Sequence, residues 1–148
     1  MLVLDTNVVL DLFVFNDPAL APLKQAVIER RLQWIATQPM RDELQYVLAY
    51  PHIAARLQRN TITPEEVLNN FDQHATLQAG APRAHCICKD PDDQIFIDLA
   101  VAHKATLLSK DKAVLSLRKR LFGSAVACST AMLFVAQSFP PASVPSST

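Results

Sequence analysis

The sequence predicts an α/β protein, a three-layer α/β/α sandwich built on a central, mainly parallel sheet with helices on both faces. Three observations lead there. Short apolar runs at Leu2–Leu4, Trp34–Ala36, Thr106–Ser109 and Ala125–Cys128 have the length of buried strands. The segments between them carry apolar residues at helical spacing. Strands that alternate with helices pair in parallel through right-handed crossovers. A chain of 148 residues, half of them hydrophobic and 19% charged, suits one domain around one core, and no internal repeat divides it.

Taken in order, Leu2–Leu4 forms the first strand. Asp5-Thr6-Asn7 then supplies polar capping residues ahead of a helix. Leu20, Leu23, Val27 and Ile28 define a helix over Leu20 to Arg31, and Trp34-Ile35-Ala36 is the second strand. A helix begins at Thr37 or Gln38 beside Pro39 and ends near Pro51, because proline disfavours helical geometry in the residue before it. Another starts near His52. Thr63-Pro64-Glu65-Glu66 combines an N-cap threonine, a first-turn proline and a capping-box glutamate, and predicts a helix over about Pro64 to Leu77. Ala79 to Pro91, with Gly80, Pro82 and Pro91, is mainly connection, in which Cys86-Ile87-Cys88 could form a brief strand. From Asp92 onward Ile95, Phe96, Leu99 and Ala102 mark a helix, followed by the Thr106–Ser109 strand and a helix over about Lys112 to Arg120. Ala125–Cys128 is the last strand, and Ser129-Thr130 caps a helix over about Ala131 to Gln137. The expected domain spans residues 1–137, with 138–148 a disordered tail.

Composition narrows the function classes. Fourteen basic and fourteen acidic residues cancel, so any footprint for a polyanion must be local. Cys86, Cys88 and Cys128 are too few and odd in number for a disulfide framework and read as reduced thiols, which points to the cytoplasm. Asp5 and Asp11 interrupt the apolar amino-terminal run, which lacks the basic start and cleavage site of a signal peptide. No stretch reaches the roughly 18 apolar residues of a membrane span.

The chemistry-bearing residues are acidic. In parallel sheets ligands gather at the carboxyl ends of strands, where Asp5 and Ser109-Lys110-Asp111 fall. Glu43 and Asp93 lie near the starts of helices whose amino ends face that edge, so four carboxylates can share one pocket. Such crowding raises each group's pKa unless a cation compensates it. Oxygen-only ligands suit magnesium or manganese, and no Cys/His pair has zinc-finger spacing. Each residue also has a plainer reading. Alone, Asp5 is a helix N-cap, Glu43 a solvated helical glutamate, and Ser109 with Asp111 a capped turn. Of Asp90, Asp92 and Asp93, the last shares a helical face with Ile97 and Ala100 and turns toward the core. Asp90 and Asp92 are assigned to capping the helix. Asn7 is placed to position water or a phosphate.

At these residues the sequence resembles the PIN-domain superfamily, in particular its toxin components of toxin–antitoxin pairs. The carriers are LDTNVVLD, RDELQYVLAYP and DPDDQIFIDLAVAHKATLLSKD, over roughly residues 1 to 137. The resemblance implies metal-binding and catalytic acids at Asp5, Glu43, Asp93 and Asp111, with Asn7 and Ser109 in support. It implies an endonuclease that cleaves single-stranded RNA with water activated by Mg2+ or Mn2+. A cognate antitoxin and a homodimer are further implied partners. Lys110 stands where the family often has glycine.

Lys110 and Lys112 are weaker candidates for substrate phosphate. They begin a basic segment with Arg118, Lys119 and Arg120, whose plainer reading is a solvated helix face. His52, His74, His85 and His103 lack metal-ligand spacing and read as surface or structural residues. Trp34 and Tyr46 are assigned to the core in preference to base stacking. Two rival functions stay open: a catalytically silent RNA-binding or regulatory module of the same fold, and phosphoryl chemistry on aspartate. The second fits poorly, because the partner aspartate it needs two residues after Asp5 is Asn7.

Overall fold

A computed structural model describes residues 1–140. Among them five parallel strands form one sheet: β1 (Leu2–Leu4), β2 (Trp34–Ala36), β3 (Ala75–Leu77), β4 (Thr106–Leu108) and β5 (Cys128–Ser129), in the order β3-β2-β1-β4-β5. The helices are α1 (Thr6–Phe13), α2 (Ala21–Ile28), α3 (Gln38–Val47), α4 (Pro51–Arg59), α5 (Pro64–His74), α6 (Gln94–His103), α7 (Lys112–Leu115), α8 (Arg118–Gly123) and α9 (Ala131–Ser138). This is the predicted three-layer α/β/α sandwich, with a sheet that is wholly parallel. The tail expected from residue 138 lies, from 141 onward, outside the described residues.

The inner strands explain themselves. Every residue of β1 and β2 is buried, as a strand covered on both faces requires. Trp34 stacks on Phe13 at 6.1 Å and meets Phe71 edge-on at 5.0 Å, tying β2 to α1 and α5. The chain adds β2 and β3 on one side of β1, then crosses to add β4 and β5 on the other. Right-handed crossovers therefore place α1 to α5 on one face and α6 to α8 on the other. In agreement, α1 packs on α3, α3 on α5, and α6 on β1 and β4. The last helix, α9, returns to α2.

Three expectations need correction, and one open alternative is decided. The helix expected to reach Leu77 ends at His74, and Ala75–Leu77 becomes β3, paired in register with Trp34–Ala36. Only Thr76 locally favours a strand there; the open edge of β2 decides it. The stretch around Cys86–Cys88 is connection, as read from the sequence, and the alternative of a brief strand is not realised. The buried Gln94 side chain takes the place of a partner strand, accepting from the Cys88 amide at 2.7 Å and donating to the Cys86 carbonyl at 3.0 Å. Asp98 holds the same loop at the Ala84 amide, at 2.9 Å. The helix expected over Lys112 to Arg120 is broken at Ser116-Leu117 into α7 and α8, and the last strand starts only at Cys128, after Ala125 has turned the chain in a left-handed conformation (φ 63°).

The capping box at Thr63 and Glu66 forms as predicted. Just before it, α4 ends on Thr61 at φ 56°, with the Ile62 amide bonded back to the Leu57 carbonyl. A β-branched residue is strained in that conformation, which suits glycine. Thr61→Gly is expected to stabilise the fold by about 1 kcal/mol, read as a higher urea midpoint at unchanged slope.

Candidate metal centre

The sheet reverses its direction of growth between β1 and β4, and that switch point is where parallel α/β sheets bind ligands. Leu4 pairs with Leu108, so the next residues, Asp5 and Ser109, emerge side by side. Both are buried, and the Ser109 hydroxyl donates to Asp5 Oδ2 at 2.6 Å. Asp5 occupies the N-cap position of α1 but closes no capping hydrogen bond, which counts against a capping role. Ser109 Oγ also accepts from the Asp111 amide at 3.0 Å, and Asn7 Oδ1 accepts from the Lys110 amide at 3.2 Å. One hydroxyl and one amide thus fix the turn after β4 against the start of α1.

The other acids arrive from both faces. Glu43, on α3, accepts from the Thr6 hydroxyl at the start of α1. Asp93 ends the 3-10 turn Pro91–Asp93 that leads into α6, and it is buried with Ile97 and Ala100, as its helical offsets predict. Its Oδ2 is buried without a hydrogen-bond partner. Asp111 caps α7 through the Ala113 amide at 2.8 Å. Asp90 caps the Pro91–Asp93 turn through the Asp92 amide at 3.0 Å. Carboxylate oxygens of Asp90, Asp93 and Asp111 all lie within 4.8 Å of one another. Capping, the role assigned to Asp90 from sequence, is real; its place beside Asp93 and Asp111 is new. Asp92 stays exposed.

Burial and mutual repulsion set the electrostatics. Burial foremost pushes Asp93 up to about 8 from 3.8, assisted by a hydrogen bond with the Asp111 carboxyl and by the charges of Asp5, Asp111 and Asp90. Asp5 is raised chiefly by burial and further by Asp111, against the Ser109 hydrogen bond. Glu43 is raised by burial and by Asp5, Asp92 and Asp90, against the Thr6 hydrogen bond. No lysine or arginine forms a salt bridge with any of these acids among the described residues.

The nearest basic candidate is already engaged: the Lys110 ammonium pairs with Asp11 at 2.9 Å, while Lys112 is exposed on α7. Arg118 and Lys119 line a separate cavity of about 620 Å3 beside β5, which reaches Thr106 at the amino end of β4, away from Asp5. None of the convergent carboxylates lines it. Trp34 is a core residue as expected; Tyr46 is not, being 71% exposed and edge-to-face with Tyr50 at 5.8 Å.

A parallel α/β sandwich with carboxylates converging at its switch point defines a class of folds with an acidic, metal-competent site. The family profile for the PIN domain matches residues 1–113, and the chain belongs to that family. PIN domains are generally metal-dependent nucleases, and the acidic cluster is compatible with a divalent ion. No curated protein and no solved structure matches the chain. Among the described residues no helix is long and apolar enough to cross a membrane.

Proposed function

We propose that the protein is a divalent-metal-dependent endoribonuclease acting on single-stranded RNA, with Asp5, Glu43, Asp93 and Asp111 as its acidic machinery. The observation that carries this reading is Asp93: a buried carboxylate oxygen that, among the described residues, has no donor and faces further carboxylates with no cation paired to them. Such an arrangement is costly unless a cation joins it. The donors are all hard oxygens, which suits Mg2+ or Mn2+. A bound ion of this kind would lower the pKa of a water and offset charge on the scissile phosphate.

The chain's own residues do the positioning. Ser109 fixes the orientation of Asp5, Thr6 that of Glu43, and the Asn7 carboxamide holds the turn that carries Asp111. The salt bridge to Asp11 leaves Lys110 as a brace of that turn, so a phosphate would have to compete for its ammonium. Exposed Tyr46 and Tyr50 follow Glu43 along α3 and its end, and aromatic faces stack on bases of any sequence. That favours a flexible single strand over a duplex as substrate. A toxin role with a cognate antitoxin, and a homodimer, accompany this reading as its biological setting.

The test is Asp5→Asn, which keeps size and can still accept from Ser109. RNA cleavage in Mg2+ should vanish in this variant and, in the wild type, on adding EDTA, with circular dichroism unchanged. Undiminished cleavage by the variant would sink the proposal.

A further inference from the structure

We propose that Asp90, the cap of the turn before α6, is also an ion ligand, and that the ion sits among Asp90, Asp93 and Asp111. The inference deepens the nuclease reading and rests on its metal site, not on RNA cleavage. Asp90 and Asp111 are built alike. Each spends one oxygen, Oδ1, on a cap, accepting from the Asp92 amide at 3.0 Å and from the Ala113 amide at 2.8 Å, and among the described residues no amide, hydroxyl or cationic group donates to its other oxygen. Between them stands Asp93, 7% exposed, with its Oδ2 unpartnered. No other three acidic, histidine or cysteine side chains among the described residues come within this spacing.

That unpartnered, buried oxygen is the independent observation. Three carboxylates kept within 4.8 Å by unrelated restraints are poised for a fourth party that is positively charged. The restraints are local: the cap at Asp92 fixes Asp90, the Gln94 clamp on Cys86 and Cys88 fixes the loop that delivers it, and the Ser109 hydroxyl fixes Asp111. Glu43, held by Thr6, and Asp5, held by Ser109, stand outside the trio. They are placed to act on a water or phosphate at the ion's edge, with Asp90 closer to the ion than Glu43.

The test is Mn2+ binding to the full chain, followed by the electron paramagnetic resonance of the free ion. Asp90→Asn and Asp90→Ser both retain a capping oxygen and remove the charge, so the turn survives. Each should weaken Mn2+ binding at least about tenfold, the lower bound for losing even a residue that only supports a ligand. Asp92→Asn, which neutralises an exposed neighbour, should change it less than about threefold, and Glu43→Gln less than either Asp90 variant. Thermal midpoints in EDTA should not fall below that of the wild type, because removing one charge relieves repulsion in the cluster. The proposal is overturned if both Asp90 variants bind Mn2+ like the wild type, if Asp92→Asn weakens binding as much, or if the wild type binds none. Tight binding that depends on Asp90 in a protein that cleaves no RNA upholds the ion site and removes the nuclease reading alone.

Discussion

Asp93→Asn is expected to lower Mg2+-dependent RNA cleavage by at least on the order of a hundred- to a thousandfold and, in the same molecule, to stabilise the metal-free fold. The two effects share one cause. Asp93 is held up near 8 by burial first, then by its hydrogen bond with the Asp111 carboxyl and by the charges of the carboxylates around it. Asparagine is almost the same size, introduces no charge and offers an amide donor to the Asp111 or Asp90 carboxylate. Asp93 makes no side-chain cap at α6, so no cap is lost. The midpoint in EDTA at pH 8 should rise by roughly 2–4 °C, which is what ~1 kcal/mol is worth in a domain of this size. Added Mg2+ should then raise it further in the wild type but not in the variant. A variant that is both inactive and less stable in EDTA would place Asp93 among ordinary structural residues.

Such a trade between stability and function also explains what the sequence could and could not show. Strands β1, β2 and β4 were legible because burial on both faces demands short, uninterrupted apolar runs, and Asp5 stood out because it ends one of them. Asp93 was separable from its neighbours because Ile97 and Ala100 share its helical face, and both are buried. Strand β3 was not legible: Ala75 and Leu77 are acceptable helix residues at the end of a helical stripe, and only the edge of β2 makes them extended. The loop before α6 was equally hidden, since it is shaped by Gln94 and Asp98 from the following helix. The sequence marks Asp90 as a cap, which it is; it cannot reveal that the same carboxylate lies within 4.8 Å of two other acids. Tyr46 was misplaced because it sits between Leu44 and Leu48, which are buried, yet points away from their face.

The metal-free protein is expected to lose stability as pH rises from about 4 to about 8. Asp93 gives up its proton near 3.8 in the unfolded chain but near 8 in the fold. Between those values the folded state holds the extra proton, so stability falls with rising pH, and the penalty is complete only above about 8. Asp5 and Glu43, both raised by burial first, add to the same slope at its acid end. His74 acts oppositely: burial and then Arg30 depress it below 6.5, so it favours the fold as pH rises toward neutrality. Comparison with Asp93→Asn separates the two, because that variant keeps His74 and loses the slope between about 6.5 and 8. An ion needs the carboxylates ionised, so Mg2+ should displace the proton and raise the thermal midpoint more at pH 8 than at pH 6. The decisive measurement is a set of melting curves in EDTA and in Mg2+ across this range. Parallel pH profiles for wild type and variant, or an Mg2+ effect independent of pH, would show that the cluster carries no shared proton and offers no site in exchange for it.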